Sequence, residues 1–211
     1  MIFPLFIGCV HKMLEKFPDA SLEADDSGRI PLHYAAHFGN VDVVELFLQK
    51  NNSIAYKKDN EGMCALHISA REGNEGVMRT IIKKCPDTCE LLDDKHGTAL
   101  HLAVESGRIN VVKLFLGTVK NEQDKNGNTP LHLAALHLDT YSRVLLYMVL
   151  LSPAPSFEHY KILKIFARDR RIDKWTRNEE GMTTAHIIQS NNQLIWFQKV
   201  SLVKLCKVNI Y

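Results

Sequence analysis

Histidine, the side chain most often used for metal binding and acid–base catalysis, recurs in this sequence within a fixed apolar context. The strings IPLHYAA, CALHISA, TALHLAV, TPLHLAA and TTAHIIQ each carry one histidine at the fourth position, namely His33, His67, His101, His132 and His186. Equivalent residues on packed helices stand about 8–10 Å apart, whereas zinc ligands lie at about 2 Å from one centre. We therefore expect each histidine to hydrogen-bond local backbone in the first turn of a helix, and we expect no metal site.

The other reactive residue types form no catalytic pattern. HYAAH at residues 33–37 has the spacing of a zinc-protease helix, but Tyr34 stands where the glutamate base belongs. The five cysteines form no CxxC pair, which is typical of reduced thiols in a cytosolic protein; they are Cys9, Cys64, Cys85, Cys89 and Cys206. Because the sequence also has no phosphate-binding loop and no GxSxG motif, it predicts neither an enzyme nor a cofactor site.

Composition predicts a folded chain without a strong electrostatic preference. Of the 211 residues, 45% are hydrophobic and 24% are charged, which is enough to build a core without disulfides. The 26 Lys and Arg nearly balance the 24 Asp and Glu, so a dedicated nucleic-acid binder is excluded. The apolar start MIFPLFIGCV has no basic residues before it, and the run at 144–151 is far shorter than the roughly 20 residues of a membrane span.

A repeat in the sequence predicts the helices and turns that position the histidines. Successive histidines are 34, 34, 31 and 54 residues apart, and a second apolar block begins ten residues after each of the first three. Eight residues before each histidine a turn opens with Asp25, Asp59, Asp93, Asp124 or Asn178. Glycine follows three positions later except in the third unit, which has His96 there. Each unit is therefore predicted to be a turn, a short helix, a tight connection and a longer helix, stable only when stacked on its neighbours.

These motifs resemble the ankyrin repeat, since TPLHLAA at 129–135 matches the family's TPLHxAA motif and the other strings are near matches. The resemblance runs from residue 9 to about 190 and implies an all-α ankyrin-repeat solenoid of stacked helix-turn-helix units with projecting turns. The segment CPDTCELLDDKHGTALHLAVESG resembles plant ankyrin proteins of the accelerated-cell-death type. Full-length members of that group carry a C-terminal membrane region of several helices, which this sequence lacks.

The register divides the chain into six parts: a partial N-terminal repeat with only its second helix (1–27), repeats at 28–61, 62–96, 97–126 and 127–180, and a degenerate repeat with a tail (181–211). MIFPLFIG takes the place of the first helix of the partial repeat. The repeat at 127–180 has an insertion at about 139–158. Two interpretations of the insertion stay open: an extra helix that ends near Pro153 and Pro155 and packs on the flank, or unspliced sequence.

Seven basic residues lie between Lys161 and Arg177, against two aspartates. Acidic lipid headgroups or RNA could attract this stretch, but a solvated helix end and loop is the favoured interpretation, because Lys and Arg near a helix C-terminus complement its dipole.

By resemblance, the chain is a non-catalytic protein–protein interaction scaffold whose partner contacts the turns and the first helices. The register assigns this role to the turn residues Asp26, Asn60, Asp94, Lys95, Lys125 and Glu179 and to the first-helix positions His37, Phe38, Arg71, Glu72, Glu105, Ser106 and His137. The implied partner is a protein and not a nucleic acid, and no membrane span is expected in this chain.

The subfamily resemblance implies plant defence or cell-death signalling, in the cytoplasm or at the cytoplasmic face of the plasma membrane. Membrane association would then come through a longer form. The alternative is a truncated or misspliced fragment of a membrane-anchored ankyrin protein with no function of its own.

Overall fold

The computed structural model describes residues 3–115, 121–138, 157–192, 194 and 196–207. Every regular element among these residues is helical, and none of them forms a strand. The chain divides into two compact units, unit 1 (residues 1–99) and unit 2 (residues 100–211).

Unit 1 consists of five α-helices joined by turns and short 3-10 helices. The α-helices are α1 (Phe3–Lys16), α2 (Pro31–His37), α3 (Val41–Lys50), α4 (Ala65–Glu72) and α5 (Glu75–Lys84). The 3-10 helices are Pro18–Ser21, Asn52–Tyr56 and Pro86–Glu90. Neighbouring pairs repeat the same packing: α2 contacts α3 and α4, α4 contacts α5, and α3 contacts α5.

Unit 2 is also built from α-helices joined by turns and loops. Its elements are α6 (Ala99–Glu105), which starts at the boundary, α7 (Ile109–Phe115), α8 (Pro130–Leu136), α9 (Phe157–Arg168), α10 (Thr184–Ser190) and α11 (Trp196–Lys207). Helix α9 packs on α7, α8 and α11, and α10 packs on α8 and α11.

The sequence sets the limits of the short helices. Pro31 begins α2, where its missing N–H costs no hydrogen bond, and Gly39 adopts a φ of +70° just after the helix ends. Leu32 and Leu66, at the same motif position of α2 and α4, are completely buried. Because burying one leucine contributes about 1.5–3 kcal/mol, helices of seven or eight residues become stable only in this stack.

The turns before the short helices are built alike. In each, one side-chain oxygen of the opening Asp or Asn accepts a hydrogen bond from the backbone N–H four residues later, as Asp59 Oδ1 does from Met63 N at 2.9 Å. The residue three positions after the opener is left-handed: Gly62 has a φ of +74°, and His96, its counterpart in the next turn, has a φ of +57°.

Some boundaries differ from the sequence-based expectation. Residues 3–8 do not replace a helix but extend α1 toward its N-terminus, since they are helical in phase with the expected block at 9–14. Helix α9 begins at Phe157, so the last two residues assigned to the insertion belong to a repeat helix. The rest of the insertion, 139–156, lies outside the described residues, as do both of its interpretations. Residues 196–207, which fitted a second helix only loosely, are helical.

Candidate partner-binding surface

The motif histidines connect consecutive repeats. In α2, His33 Nδ1 accepts a hydrogen bond from Ile30 N at 3.0 Å, so the ring proton is on Nε2 and is donated to Lys57 O at 3.1 Å. The corresponding Nε2 atoms of His67, His101 and His132 lie 3.2, 3.2 and 3.1 Å from carbonyl oxygens 27 to 50 residues further along the chain. Each of these rings thereby fixes the start of its own helix and the following turn.

Burial disfavours protonation of three of these rings. Desolvation is the main cause that lowers the pKa of His33, His67 and His132, and it outweighs the opposing attraction of nearby aspartates. His186 differs: it is exposed, and its Nδ1 lies 3.0 Å from the hydroxyl of Thr183 in its own helix cap.

The predicted turn residues of unit 1 form a row. Asn60 donates from its backbone N to Ser27 O at 3.0 Å and from its side chain to Asp26 O at 2.9 Å. In the next step Asp94 N donates to Glu61 O at 3.2 Å. Asp26, Asn60, Asp94 and Lys95 are all exposed, so the row presents its side chains to solvent.

Glycine makes this close approach possible. A Cβ added to Gly62 would lie 2.6 Å from Asp94 N and 2.3 Å from Asp94 Oδ1, and one added to Gly127 would lie 2.6 Å from Glu179 N. Both contacts are shorter than real Cβ atoms tolerate. A side chain here would push neighbouring turns apart, so the glycine sets the turn-to-turn distance as well as the backbone conformation.

Four predicted residues of α2 and α4 come together at the C-terminal ends of those helices. His37 Nδ1 lies 3.3 Å from Glu72 Oε1, and Arg71 reaches Glu72 at 3.5 Å and Glu61 at 3.7 Å. Phe38 is the residue just after α2 and lies edge-on to His37, with ring centroids 4.9 Å apart. Its side chain is 77% exposed, the largest exposed fraction among the large hydrophobic residues that the structure describes.

A second aromatic on the exposed side of α2 is held from the turn. Tyr34 Oη donates a hydrogen bond to Asp25 Oδ2, and this bond is the main cause that lowers the pKa of Asp25 and raises that of Tyr34. We define the α2/α4 patch as Tyr34, His37, Phe38, Arg71 and Glu72.

In unit 2 the predicted residues gather around a histidine that sequence analysis did not single out. His159 of α9 stacks on His137, with centroids 5.4 Å apart, and its Nε2 lies 3.2 Å from Glu105 O. A Cβ on Gly107 would lie 3.2 Å from the His159 ring. The signal that could have found His159 is weak, because the register places it at the edge of the insertion.

Two of the predicted first-helix residues of unit 2 lie outside the helices to which the register assigned them. Ser106 and His137 lie just past the ends of α6 and α8 and not within first helices. Lys125 and Glu179 are exposed on consecutive turns, which are joined by a hydrogen bond from Glu179 N to Asn126 O at 3.0 Å.

Asn74 is a connecting residue that the sequence reasoning missed. Its side-chain amide donates to Ala36 O and to His37 O, both at 2.8 Å, and so ties the end of α2 to the following repeat. Asn40 stands 34 residues earlier in the same register, so the repeated asparagine was the available signal.

The buried cysteine side chains are suited to packing in the core and not to nucleophilic chemistry. Burial raises the pKa of Cys64 and Cys85 and raises that of Cys206 to about 11, so these three thiols are poor nucleophiles at neutral pH. In the described ranges, no three His, Cys, Asp or Glu side chains are placed to hold a metal ion. Across the same residues, every helix is too short or too polar to cross a bilayer.

The stacked helix pairs, the hydrogen-bonded turns and the buried motif histidines define a helical repeat protein. The profile of the ankyrin-repeat family, which describes three copies, matches residues 5–90 and again 81–153, together more than half of the sequence. The chain therefore belongs to the ankyrin-repeat family, and the predicted all-α repeat solenoid is confirmed. The sequence has no significant match among curated proteins.

Proposed function

We propose that this protein is a non-catalytic scaffold that binds a partner protein through the α2/α4 patch and the adjoining row of turns. Ankyrin repeats in general are protein-interaction modules, which is the basis for this class of function. The observation that carries the proposal is the 77% exposure of Phe38, beside charged side chains that hold one another in place.

The energetics of interfaces support this choice of residues. Aromatic and arginine side chains dominate the binding free energy of protein interfaces, and the patch supplies both in Phe38, Tyr34 and Arg71. The ion pairs of Arg71 with Glu61 and Glu72 are part-exposed and add little to stability. Their contribution is to orient the guanidinium before binding, which reduces the entropy lost when a partner arrives.

The same proposal extends to the other residues that the register assigned to binding. In unit 1 these are the turn residues Asp26, Asn60, Asp94 and Lys95. In unit 2 they are Glu105, Ser106, His137, Lys125 and Glu179. Their variety between repeats supports a recognition role, because the second-helix blocks of the same repeats, such as VVELFL and VVKLFL, stay mainly apolar.

The test is quantitative capture of partners with matched variants. The wild-type chain, Phe38→Ala, Arg71→Ala and the control Lys83→Ala would be immobilised and exposed to an extract of the cells that make the protein. Phe38→Ala and Arg71→Ala should each weaken partner binding by about 1–2 kcal/mol, or roughly 5- to 30-fold. Lys83, exposed on α5 outside the patch, should have no effect. Equal capture by all four proteins, with helicity unchanged, would rule the α2/α4 patch out.

The finer assignment rests on resemblance alone. We propose a role in plant defence or cell-death signalling, in the cytoplasm or at the cytoplasmic face of the plasma membrane. The support is the segment at 85–107, whose sequence is similar to that of ankyrin proteins of the accelerated-cell-death type. Fractionation of the native protein would test it: recovery from an organelle lumen or the secreted fraction would contradict the proposed location.

A further inference from the structure

The loop that follows α9 concentrates basic residues on unit 2. Residues 168–177 contain Arg168, Arg170, Arg171, Lys174 and Arg177 against two aspartates. The sequence-based interpretation treated the whole stretch as one solvated helix end. The structure divides these residues into those with a role inside the protein and those without one.

Three of the five basic residues of the loop are buried or bonded to other residues of the protein. Lys174 is only 7% exposed. Arg171 forms an ion pair with Asp169 at 2.6 Å, and this pairing is the main cause that lowers the pKa of Asp169. Arg177 donates to Gly181 O at 2.8 Å.

The remaining two arginines have no role of this kind among the described residues. Arg168 and Arg170 are exposed, and within the described part of the chain their guanidinium groups make no hydrogen bond or ion pair. They stand at the end of α9 and in the first residues of the loop.

The same loop presents an indole from a fixed backbone. Trp175 is 55% exposed, and its backbone N–H donates to Asp173 Oδ1 at 2.8 Å. Asn121 holds the middle of the loop from the preceding repeat: it donates to Arg171 O at 3.1 Å and accepts from Asp173 N at 2.9 Å. Because hydrogen bonds already hold the loop backbone, little backbone entropy is lost when a partner covers the exposed indole.

We propose that the loop at residues 168–177 binds an acidic segment of a partner protein. Trp175 packs against the apolar side chains of that segment, and Arg168 and Arg170 pair with its carboxylates. Tryptophan and arginine are the residue types most enriched where protein interfaces are strongest, and guanidinium groups match carboxylates in a two-pronged geometry. This surface belongs to unit 2 and is independent of the α2/α4 patch.

Charge favours an acidic partner over a basic one. Unit 2 as a whole has 15 Lys and Arg against nine Asp and Glu, whereas unit 1 has 11 against 15. The number of unpaired groups favours a protein segment over a polyanion. Duplex DNA binders commonly neutralise about 6–10 phosphates, and recognition of acidic lipids takes clusters of about 4–8 Lys or Arg. Two unpaired guanidinium groups fall short of both, but they suit two or three carboxylates beside an apolar contact.

The experiment uses tryptophan emission from the full chain. The protein contains two tryptophans, so Trp196→Phe leaves Trp175 as the only emitter. A short peptide of alternating glutamate and leucine is titrated into this variant at low salt, with the same peptide carrying glutamine for glutamate as the control ligand. We expect the emission to shift to shorter wavelength and to saturate with the glutamate peptide only.

Charge-reversal variants in the same background locate the binding. Arg168→Glu with Arg170→Glu should weaken peptide binding by about tenfold or more, because two attractions become repulsions. Lys204→Glu, an exposed charge reversal on α11, should change it less than about twofold. A missing emission shift, or equal weakening by both variants, would overturn the proposal.

Two further arms test other occupants. Tighter binding of single-stranded RNA, or of vesicles that contain phosphatidylserine, would overturn the choice of a protein partner. Sedimentation of the protein alone tests a second copy as the occupant: self-association that Arg168→Glu with Arg170→Glu abolishes would replace the external segment with unit 1 of another molecule.

Discussion

At the scale of single residues, the motif histidine is a connector between repeats. His67 is fully buried, accepts a hydrogen bond from Cys64 N at 3.3 Å, and lies 3.2 Å from Gly97 O. Acceptance at Nδ1 requires the neutral ring, whose proton is then on Nε2 and is donated to Gly97 O. A protonated ring would turn the acceptor nitrogen into a donor that faces another N–H, so protonation and this arrangement exclude one another.

We predict that the free energy of unfolding falls as the pH is lowered below about 6.5. The folded-state pKa of His33, His67 and His132 lies below the unfolded value of 6.5, so the unfolded chain binds protons first. Their contribution is fully present above about pH 6.5 and is lost as the pH falls toward the folded-state values. Urea unfolding at a series of pH values from about 7.5 to 5 measures it.

A matched pair of variants isolates the buried ring. His67→Gln should cost about 1–3 kcal/mol, because it breaks buried hydrogen bonds, and it should make the pH dependence shallower. His186→Gln, at the same motif position but exposed, is the matched control. If both variants keep the wild-type slope, groups other than His67 are responsible for the pH dependence.

At the scale of elements, the turn before each short helix is the most exactly repeated part of the molecule. One side-chain oxygen closes it, one left-handed residue reverses it, and one backbone N–H ties it to the preceding turn where both lie in the same unit. His96 is the exception to the glycine rule, and its φ of +57° places an ordinary side chain in a conformation that costs about 1–2 kcal/mol.

We predict that His96→Gly stabilises the protein by about 0.5–1 kcal/mol, since relief of backbone strain exceeds the greater entropy of glycine in the unfolded chain. The reciprocal change Gly62→His should destabilise it by about 2 kcal/mol or more, because a Cβ there meets Asp94 N. Urea midpoints of the two variants give the comparison. A midpoint for His96→Gly at or below that of the wild type would contradict the strain argument.

Sequence reasoning performs best where a local rule repeats. The five histidine motifs and their 34-residue register were sufficient to predict the helix pairs and the turn openers. The Nε2 bonds were not predictable, because their acceptor carbonyls are 24 to 50 residues away and belong to different residue types. Charge alone did not separate the buried Lys174 from the exposed Arg170, since only packing decides which side of a loop faces inward.

The candidate site was predicted as a set of positions and not as an arrangement. The register placed His37, Phe38, Arg71 and Glu72 on adjacent repeats, but their ion pairs depend on side-chain conformations that a repeat pattern does not specify. The stacking of His137 on His159 likewise depends on where α9 begins, and the insertion hides that point in the sequence.

At the scale of the whole molecule, the described apolar residues of each unit divide into a buried interior and a few exposed side chains. Leu46 in α3 is 8% exposed, whereas Phe38, eight residues earlier, is 77% exposed. Because each repeat is stable only through its neighbours, damage to the interior of one repeat should weaken the adjoining ones. Changes to an exposed side chain should remain local.

We predict that Leu46→Asp unfolds unit 1, since a buried carboxylate without a partner costs about 4 kcal/mol or more. Phe38→Asp, the same chemical replacement at the exposed position, should change the free energy of unfolding by no more than about 0.5 kcal/mol. Far-UV circular dichroism with urea unfolding distinguishes them. Comparable loss of helicity in both would show that Phe38 supports the fold and is not reserved for a partner.

Two contacts hold the residues on either side of the segment at 139–156. Asn191 donates to Leu138 O at 3.1 Å, directly after α8, and His159 at the start of α9 rests on His137. Both contacts are made by residues outside 139–156. An epitope or a fluorescent reporter grafted between Leu138 and Phe157 would therefore reveal whether these two contacts alone hold α8 and α9 in place when the number of intervening residues changes.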